Sequence, residues 1–213
     1  MSTSERRLRP DIAAVVPAAG FSTRMREFKP LLPFGDSTVV EQVIATLRSV
    51  GLETIRVVVG WQADRLVPVL DRAGVAWVWN PRYADGMYTS IQAGIRTLPE
   101  QAKAFFVLPG DMPLVRRAAL QCLIDAWDAR PDGILYPGWN GRRGHPPLIA
   151  CRFAPVLLAE SPSGGLRTLL ARYADATRDI ECPDPGVLID LDTPEEYDRA
   201  CGDRRRRGSP IIN

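Results

Sequence analysis

The chain contains a loop, residues 17–30, whose residue types suit the binding of an anion. The loop begins where an apolar run ends, and its small residues let the backbone approach a ligand and present N–H groups. Hydroxyl side chains add short donors, and basic side chains add positive charge. The residues concerned are Ala18, Ala19, Gly20, Ser22, Thr23, Arg24 and Lys29. They predict a polyphosphate-binding loop, although it lacks the Walker A and Gly-x-Gly-x-x-Gly patterns; an ordinary turn with exposed cations is the alternative.

Two acidic segments predict ligands for a magnesium ion. Asp111 follows the buried run 104–108 and a tight turn at Gly110, and it lies too far before the next predicted helix to cap it directly. Asp190 and Asp192 project to the same face if their segment is extended. Magnesium takes one or two carboxylates together with phosphate oxygens. Asp111 is therefore the first expected ligand, and Asp192 or Asp190 the second.

Three further positions are candidates for substrate contacts. Asn80 follows a predicted strand and can read the edge of a nucleobase, although the neighbouring Asn-Pro and Asp-Gly pairs are also turn formers. The Gly144-His145 loop holds the chain's single histidine, and it is interpreted either as facing a substrate or as a packed structural loop. Arg167 follows a Ser-Gly-Gly turn and can offer its charge to an anion. No Ser or Cys motif partners the histidine, so a catalytic triad is not predicted.

The elements that position these loops alternate between strand and helix. Short apolar runs predict strands at 12–16, 54–59, 75–79, 104–108, 133–136, 147–151 and 187–191. Helical spacing and capping residues predict helices at about 38–50, 63–72, 88–98, 116–129, 155–159, 166–173 and 194–200. This alternation predicts an α/β fold with a Rossmann-like, mostly parallel sheet and helices on both faces. Ligands bind such sheets at the carboxyl ends of the strands, where the candidate loops lie.

Composition favours one folded domain that does not bind nucleic acid. The chain has 213 residues, of which 46% are hydrophobic and 24% charged, with a net charge of +2. Residues 1–9 carry a net +2 and residues 203–213 a net +3, which leaves −3 for residues 10–202. We expect a single domain over 11–201 with flexible basic ends at 1–10 and 202–213. A slightly acidic body argues against a nucleic-acid partner.

The remaining residue types give little sign of other chemistry. The four cysteines are widely separated and form no Cys-x-x-Cys pair, which argues against zinc and favours a reducing, cytoplasmic location. No apolar run is long enough to span a membrane, so no membrane partner is expected. The five tryptophans are interpreted as packing residues.

Four segments, in this order and spacing, resemble the MobA-like nucleotidyltransferases. They are Pro17-Ala-Ala-Gly-Phe-Ser-Thr-Arg-Met with Lys29, Gly110-Asp111-Met-Pro-Leu, Gly144-His145-Pro, and Asp190-Leu-Asp192-Thr-Pro-Glu-Glu. Within that family the Pro-Ala-Ala-Gly start is most similar to the molybdenum cofactor cytidylyltransferases. The resemblance covers about residues 11–201.

The resemblance implies a fold of the nucleotide-diphospho-sugar transferase type and a Mg²⁺-dependent transfer of CMP from CTP to the phosphate of molybdopterin, with release of pyrophosphate. It implies that Arg24 and Lys29 bind the triphosphate, that Gly110 and Asp111 lie at the nucleotide and metal, and that Asn80 and Ser90 lie near the base. It also implies that Gly144, His145 and Arg167 face the acceptor. A molybdoenzyme or its chaperone is a further expected partner. The alternatives are another small-molecule nucleotidyltransferase, such as one acting on sugar phosphates, and a non-catalytic nucleotide-binding protein.

Overall fold

A computed structural model describes residues 7–23, 25 and 27–206 of the chain. The strands are β1 Ile12–Pro17, β2 Pro33–Phe34, β3 Ser37–Thr38, β4 Thr54–Val59, β5 Ala76–Trp79, β6 Ala104–Val107, β7 Ile134–Trp139, β8 Arg142–Arg143, β9 Leu148–Ala150 and β10 Thr177–Glu181. The helices are α1 Val39–Ser49, α2 Ala63–Arg72, α3 Met87–Ile95, α4 Arg117–Ala129, α5 Ala154–Ala159, α6 Gly165–Ala171 and α7 Pro194–Arg206.

Seven of these strands form one path through the main sheet, in the order β10-β7-β9-β6-β1-β4-β5, and β8 adds to β7. The pairs β1–β4, β1–β6, β4–β5 and β7–β10 are parallel. Strand β9, within the predicted strand 147–151, runs antiparallel to both β6 and β7. The parallel strands bring the loops that follow β1, β6 and β7 to one edge of the sheet.

The core forms around the central strands because these are apolar on both faces. All six residues of β1 and all four of β6 are buried, as expected for strands covered by helices on either side. Gly94 of α3 lets that helix approach β1 closely, since a Cβ there would lie 2.4 Å from Val15 Cγ1. Helix α1 begins with a capping box, in which Thr38 and Glu41 satisfy each other's backbone N–H groups.

The predicted strand at 187–191 is wrong. Pro185–Leu188 forms a short 3-10 helix, and the segment after it is irregular. Asp184 begins this turn and accepts a hydrogen bond from Gly186 N. The last strand of the sheet is β10, which the sequence analysis does not predict because its side chains are mostly polar.

The ends of the domain also differ from expectation. Arg9 is buried, and its guanidinium contacts the carboxylates of Asp11 at 3.0 Å and Asp128 at 2.8 Å. Helix α7 continues to Arg206, beyond the predicted end at 200. Arg9 and the last turns of α7 thus lie within the segments 1–10 and 202–213, whose expected flexibility stays a prediction. No helix in the described ranges is long and apolar enough to cross a membrane.

Candidate active site

The loop after β1 is fixed by backbone hydrogen bonds to its neighbours. Ala18 N donates to Val58 O at 2.9 Å, and Gly110 N donates to Pro17 O at 3.0 Å. A Cβ at Gly110 would lie 3.1 Å from Ala18 Cβ, so a small residue suits this close approach. Ser22 adopts a left-handed conformation, with φ of 53°, and its hydroxyl accepts a hydrogen bond from Lys29 N. The loop therefore turns back on itself and carries Lys29 to the carboxyl edge of the sheet.

Lys29 lies between two carboxylates that follow different elements of the fold. Its ammonium is 2.6 Å from Asp192 Oδ1 and 3.3 Å from Asp111 Oδ2. Asp111 follows β6, whereas Asp192 precedes α7, where Thr193 and Glu196 form a second capping box. These three charged groups meet although they are up to 163 positions apart in the chain.

The surroundings shift the pKa values of two members of this group. Burial alone would lower the pKa of Lys29, but the two carboxylate partners outweigh this effect and raise the pKa. Burial raises the pKa of Asp111, the nearby charge of Asp190 raises it further, and Lys29 only partly offsets both effects. The site thus contains a lysine that stays charged at neutral pH and a carboxylate whose ionised form is less stable than that of a carboxylate in water.

The acidic residues fit a hard cation such as magnesium. Asp111, Asp190 and Asp192 all line one cavity, and carboxylate oxygens are the ligands this ion prefers. No group of three or more acidic, histidine or cysteine residues in the described part of the chain forms a complete metal cage. A magnesium ion bound through one or two carboxylates and a substrate's phosphates requires no such cage.

Two adjoining cavities open at this edge of the sheet. The first has a volume of about 580 Å³, and its lining includes the loop after β1 and the acidic residues. The second has a volume of about 840 Å³ and extends towards α6. Five residues line both cavities and mark their junction: Met87, Pro109, Arg143, Gly144 and His145.

The predicted acceptor residues lie at this junction and in the second cavity. Gly144 is confined by Val187, whose carbonyl oxygen would be 2.4 Å from a Cβ at that position. His145 N donates to Val187 O at 2.8 Å. The atoms around the His145 ring displace water and lower its pKa, and the carboxylates of Asp190 and Asp111 only partly oppose this shift. Arg167 is exposed and lines the second cavity from α6.

Arg143 is a junction residue that the sequence analysis does not single out. Its guanidinium makes two hydrogen bonds to the Asp179 carboxylate, at 2.6 and 2.8 Å, and lies 4.5 Å from the centre of the Tyr136 ring. These contacts hold a cation at the boundary between the cavities. The adjacent Arg142-Arg143 pair before Gly144 was the signal available in the sequence.

Several predicted nucleotide contacts are placed differently. Ser22, Thr23 and Gly20 line the first cavity, but Ala19 is buried behind it, and its carbonyl accepts from Trp61 N. Asn80 is 3% exposed and donates to Thr89 Oγ1 and Ser90 Oγ, while its own Oδ1 accepts from Arg82 N. Asn80 and Ser90 thus hold the loop between β5 and α3 together, and their expected place near the base stays a prediction. Arg24 lies outside the described residues.

The comparisons with known proteins agree with this arrangement. The family model of the MobA-like NTP transferase domain matches residues 14–177. The chain belongs to this family. The molybdenum cofactor cytidylyltransferase of Escherichia coli strain K12 is 26% identical to it over 187 residues, which cover 87% of this chain and 93% of that protein. The resemblance stated from the sequence motifs is confirmed.

Two solved structures define the fold class. A homologue of Mycobacterium tuberculosis rv0371c, from Mycobacterium sp. strain JC1, has a TM-score of 0.80 and 25% identity, over 94% of this chain and all of that one. A CMP-2-keto-3-deoxy-manno-octonic acid synthetase complexed with CTP has a TM-score of 0.73 and 14% identity, over 92% and 99% of the two chains. The predicted fold of the nucleotide-diphospho-sugar transferase type is confirmed. The family and the site together support a nucleotidyltransferase.

Proposed function

We propose that this protein transfers CMP from CTP to the terminal phosphate of molybdopterin in a Mg²⁺-dependent reaction and releases pyrophosphate. The observation that carries the proposal is the position of Lys29 between Asp111 and Asp192 beside a loop of small residues. That arrangement joins an anion-binding loop to carboxylates suited to a metal ion, which is what a nucleoside triphosphate needs.

On the nucleotide side, the chain positions the triphosphate and offsets its charge. The loop after β1 offers the hydroxyls of Ser22 and Thr23 to the first cavity, and Lys29 supplies an ammonium that remains charged at neutral pH. As the bond between the α-phosphorus and its bridging oxygen breaks, negative charge grows on the pyrophosphate. Lys29 stabilises that charge more than it stabilises bound substrate, and this difference lowers the barrier.

On the acceptor side, the reaction needs no strong general base. A terminal phosphate oxygen is already ionised at neutral pH, and it attacks the α-phosphorus in line with the departing pyrophosphate. His145 keeps a lowered pKa at the junction and is neutral there, so it can offer an N–H without repelling cations. Arg143 and Arg167 provide charge for an anionic acceptor entering through the second cavity.

Magnesium, when bound by Asp111 with Asp192 or Asp190, would polarise the α-phosphate and neutralise phosphate charge. The carboxylates fit this ion by their chemistry and their common cavity. Lys29 shares Asp111 and Asp192 with it, so the ammonium and the metal would compensate the same acidic pair.

The choice of CTP and molybdopterin rests on the Escherichia coli relative, whose match extends over most of both chains. The test is an assay of CMP transfer and pyrophosphate release with CTP, GTP, ATP and UTP, each with molybdopterin and with a sugar 1-phosphate. We expect CTP, molybdopterin and Mg²⁺ all to be required. Turnover with a sugar phosphate would retain the reaction class and reject the acceptor, and nucleotide binding without turnover would reject catalysis.

A further inference from the structure

We infer that two copies of this chain associate through the open edge strand β5, which pairs with β5 of the second copy and joins the two sheets. Strand β5 ends the main sheet, and within residues 7–23, 25 and 27–206 no strand pairs with its outer side. Its four residues, Ala76-Trp77-Val78-Trp79, carry no charge and no proline. An uncharged open edge is a template for pairing with another strand.

The backbone of β5 has the hydrogen-bonding groups that this pairing needs. Asn80 N donates inward to Val59 O at 2.9 Å, on the β4 side. Because successive residues of a strand point their polar groups to opposite sides, Trp77 and Trp79 direct theirs outward. Antiparallel pairing about a two-fold axis at Val78 would set Trp77 against Trp79 of the second copy. Both N–H and both C=O groups of each strand would then find partners.

The side chains of this surface are unusually apolar for exposed positions. Trp77 and Trp79 are 41% and 49% exposed, whereas the sequence analysis interpreted every tryptophan as a packing residue. Both rings border a groove of about 360 Å³, shared with Ala63, Val67 and Pro68 of α2. The two-fold arrangement would place the tryptophans of both strands side by side, and cross-strand aromatic pairs stabilise sheets.

The opposite edge strand, β10, is less suited to pairing with a second copy than β5. Strand β10 carries Arg178, Asp179 and Glu181 among its five residues. Charged side chains on an edge disfavour pairing with another chain. Strand β5 has no charged residue, so only the β10 edge carries side chains that disfavour pairing with another chain.

The charges of α2 are compatible with a second copy as the occupant. This helix carries two acidic and two basic residues: Asp64, Arg65, Asp71 and Arg72. Two copies therefore bring no net charge together. The two-fold axis also sets α2 antiparallel to its counterpart, so Asp64-Arg65 at one end would lie towards Asp71-Arg72 of the second copy, and each charge would have an opposite charge to pair with.

The first test measures the mass of the full chain in solution by sedimentation over a dilution series. We expect a species of twice the 23.5 kDa chain mass for the natural sequence and a single-chain species for Trp77→Lys, which adds an edge charge at an exposed position. Trp61→Lys is the matched control, because Trp61 is 39% exposed and lies outside β5. Circular dichroism verifies that each variant is folded. A single-chain mass for the natural sequence, or a dimer that persists in folded Trp77→Lys, would overturn the proposal.

The second test fixes the register. Val78 lies on the proposed axis at a non-hydrogen-bonded position, where facing Cα atoms are about 4.5 Å apart. That spacing is within the range of about 4.4–6.8 Å that a disulfide accepts. Val78→Cys should therefore give a cross-linked dimer when diamide oxidises it, reversed by a thiol reductant, and the natural chain should give none under the same treatment. Failure of Val78→Cys to cross-link a dimeric sample would place the interface elsewhere.

Discussion

Replacement of Lys29 by methionine removes one cation from between two carboxylates and keeps much of the side chain's bulk. The ammonium contacts are 2.6 and 3.3 Å long, and Coulomb's law at an effective dielectric constant of about 20 gives gross attractions of about 6 and 5 kcal/mol. Lost hydration offsets much of this, so breaking a fully buried pair costs about 3–5 kcal/mol. Because the Asp111 and Asp192 side chains remain 23% and 31% exposed, we expect about 2–3 kcal/mol.

For a domain of this size, that loss lowers Tm by roughly 4–12 °C at pH 7. Because its carboxylate partners raise the pKa of Lys29, its contribution is present at pH 7–8 while those partners are ionised, and at alkaline pH it is lost as the pH rises through the raised lysine pKa. In the variant, Asp111 loses the Lys29 contacts that lower its pKa, so the pKa of Asp111 rises further. The variant therefore recovers stability as the pH falls towards 4 and Asp111 takes up a proton. The Tm difference from the natural protein should be large at pH 7–8 and small near pH 4.

The assay is thermal unfolding across this pH range, followed by CTP titration at pH 7.5. Lys103→Met is the matched control, because it removes the same charge from an exposed lysine away from the site. We expect Lys103→Met to leave the Tm and nucleotide affinity near the natural values. A Lys29→Met protein with an unchanged Tm at pH 7, or with a Tm loss independent of pH, would refute the electrostatic argument.

Three more substitutions separate catalysis, loop geometry and stability. Burial raises the pKa of Asp111, so its ionised form costs stability at pH 7. Asp111→Asn should therefore keep or raise the Tm, while the rate of CMP transfer falls by at least about 100-fold. Retained transfer would contradict the role of Asp111. Gly144→Ala would press a Cβ onto Val187 O, so the rate of transfer to the acceptor should fall while CTP still raises the Tm. An unaffected transfer rate would show that the loop can move. Asp184→Ala removes the acceptors for Arg116 N and Gly186 N, so urea unfolding should show that the free energy of unfolding falls by about 3 kcal/mol. Little change would show that water replaces the carboxylate.

The sequence predicts the central elements closely because their signals are strong and local. The apolar run of β1 and the β-branched run of β4 leave no alternative to buried strands, and the observed bounds of β4 and α2 match the predictions. The Thr193-Pro194 start of α7 is likewise confirmed by its capping box. Such features depend on neighbouring residues only, and the sequence contains them in full.

The missed features depend on residues far apart in the chain. Strand β10 is polar because it lies at an edge, so its alternation of side chains gives no clear apolar face. In the apolar run at 187–191, Val187 is buried against Gly144 and its carbonyl accepts a hydrogen bond from His145 N, whereas Ile189 is 37% exposed, so the run joins no strand. Neither distinction can be made until the tertiary contacts are known.

The reversed direction of β9 has a consequence for how this fold diversifies. In a parallel sheet, each successive strand is reached through a crossover on the face of the sheet, so a changed loop disturbs a packed helix. The segment from β7 to β9 is instead a hairpin with both ends anchored in the sheet, and no crossover helix lies within it. The tip of this hairpin can therefore vary without moving a crossover helix, whereas Gly144 and His145 stay fixed against Val187. Under the proposed function, such variation would change acceptor preference and leave the loop after β1 as it is.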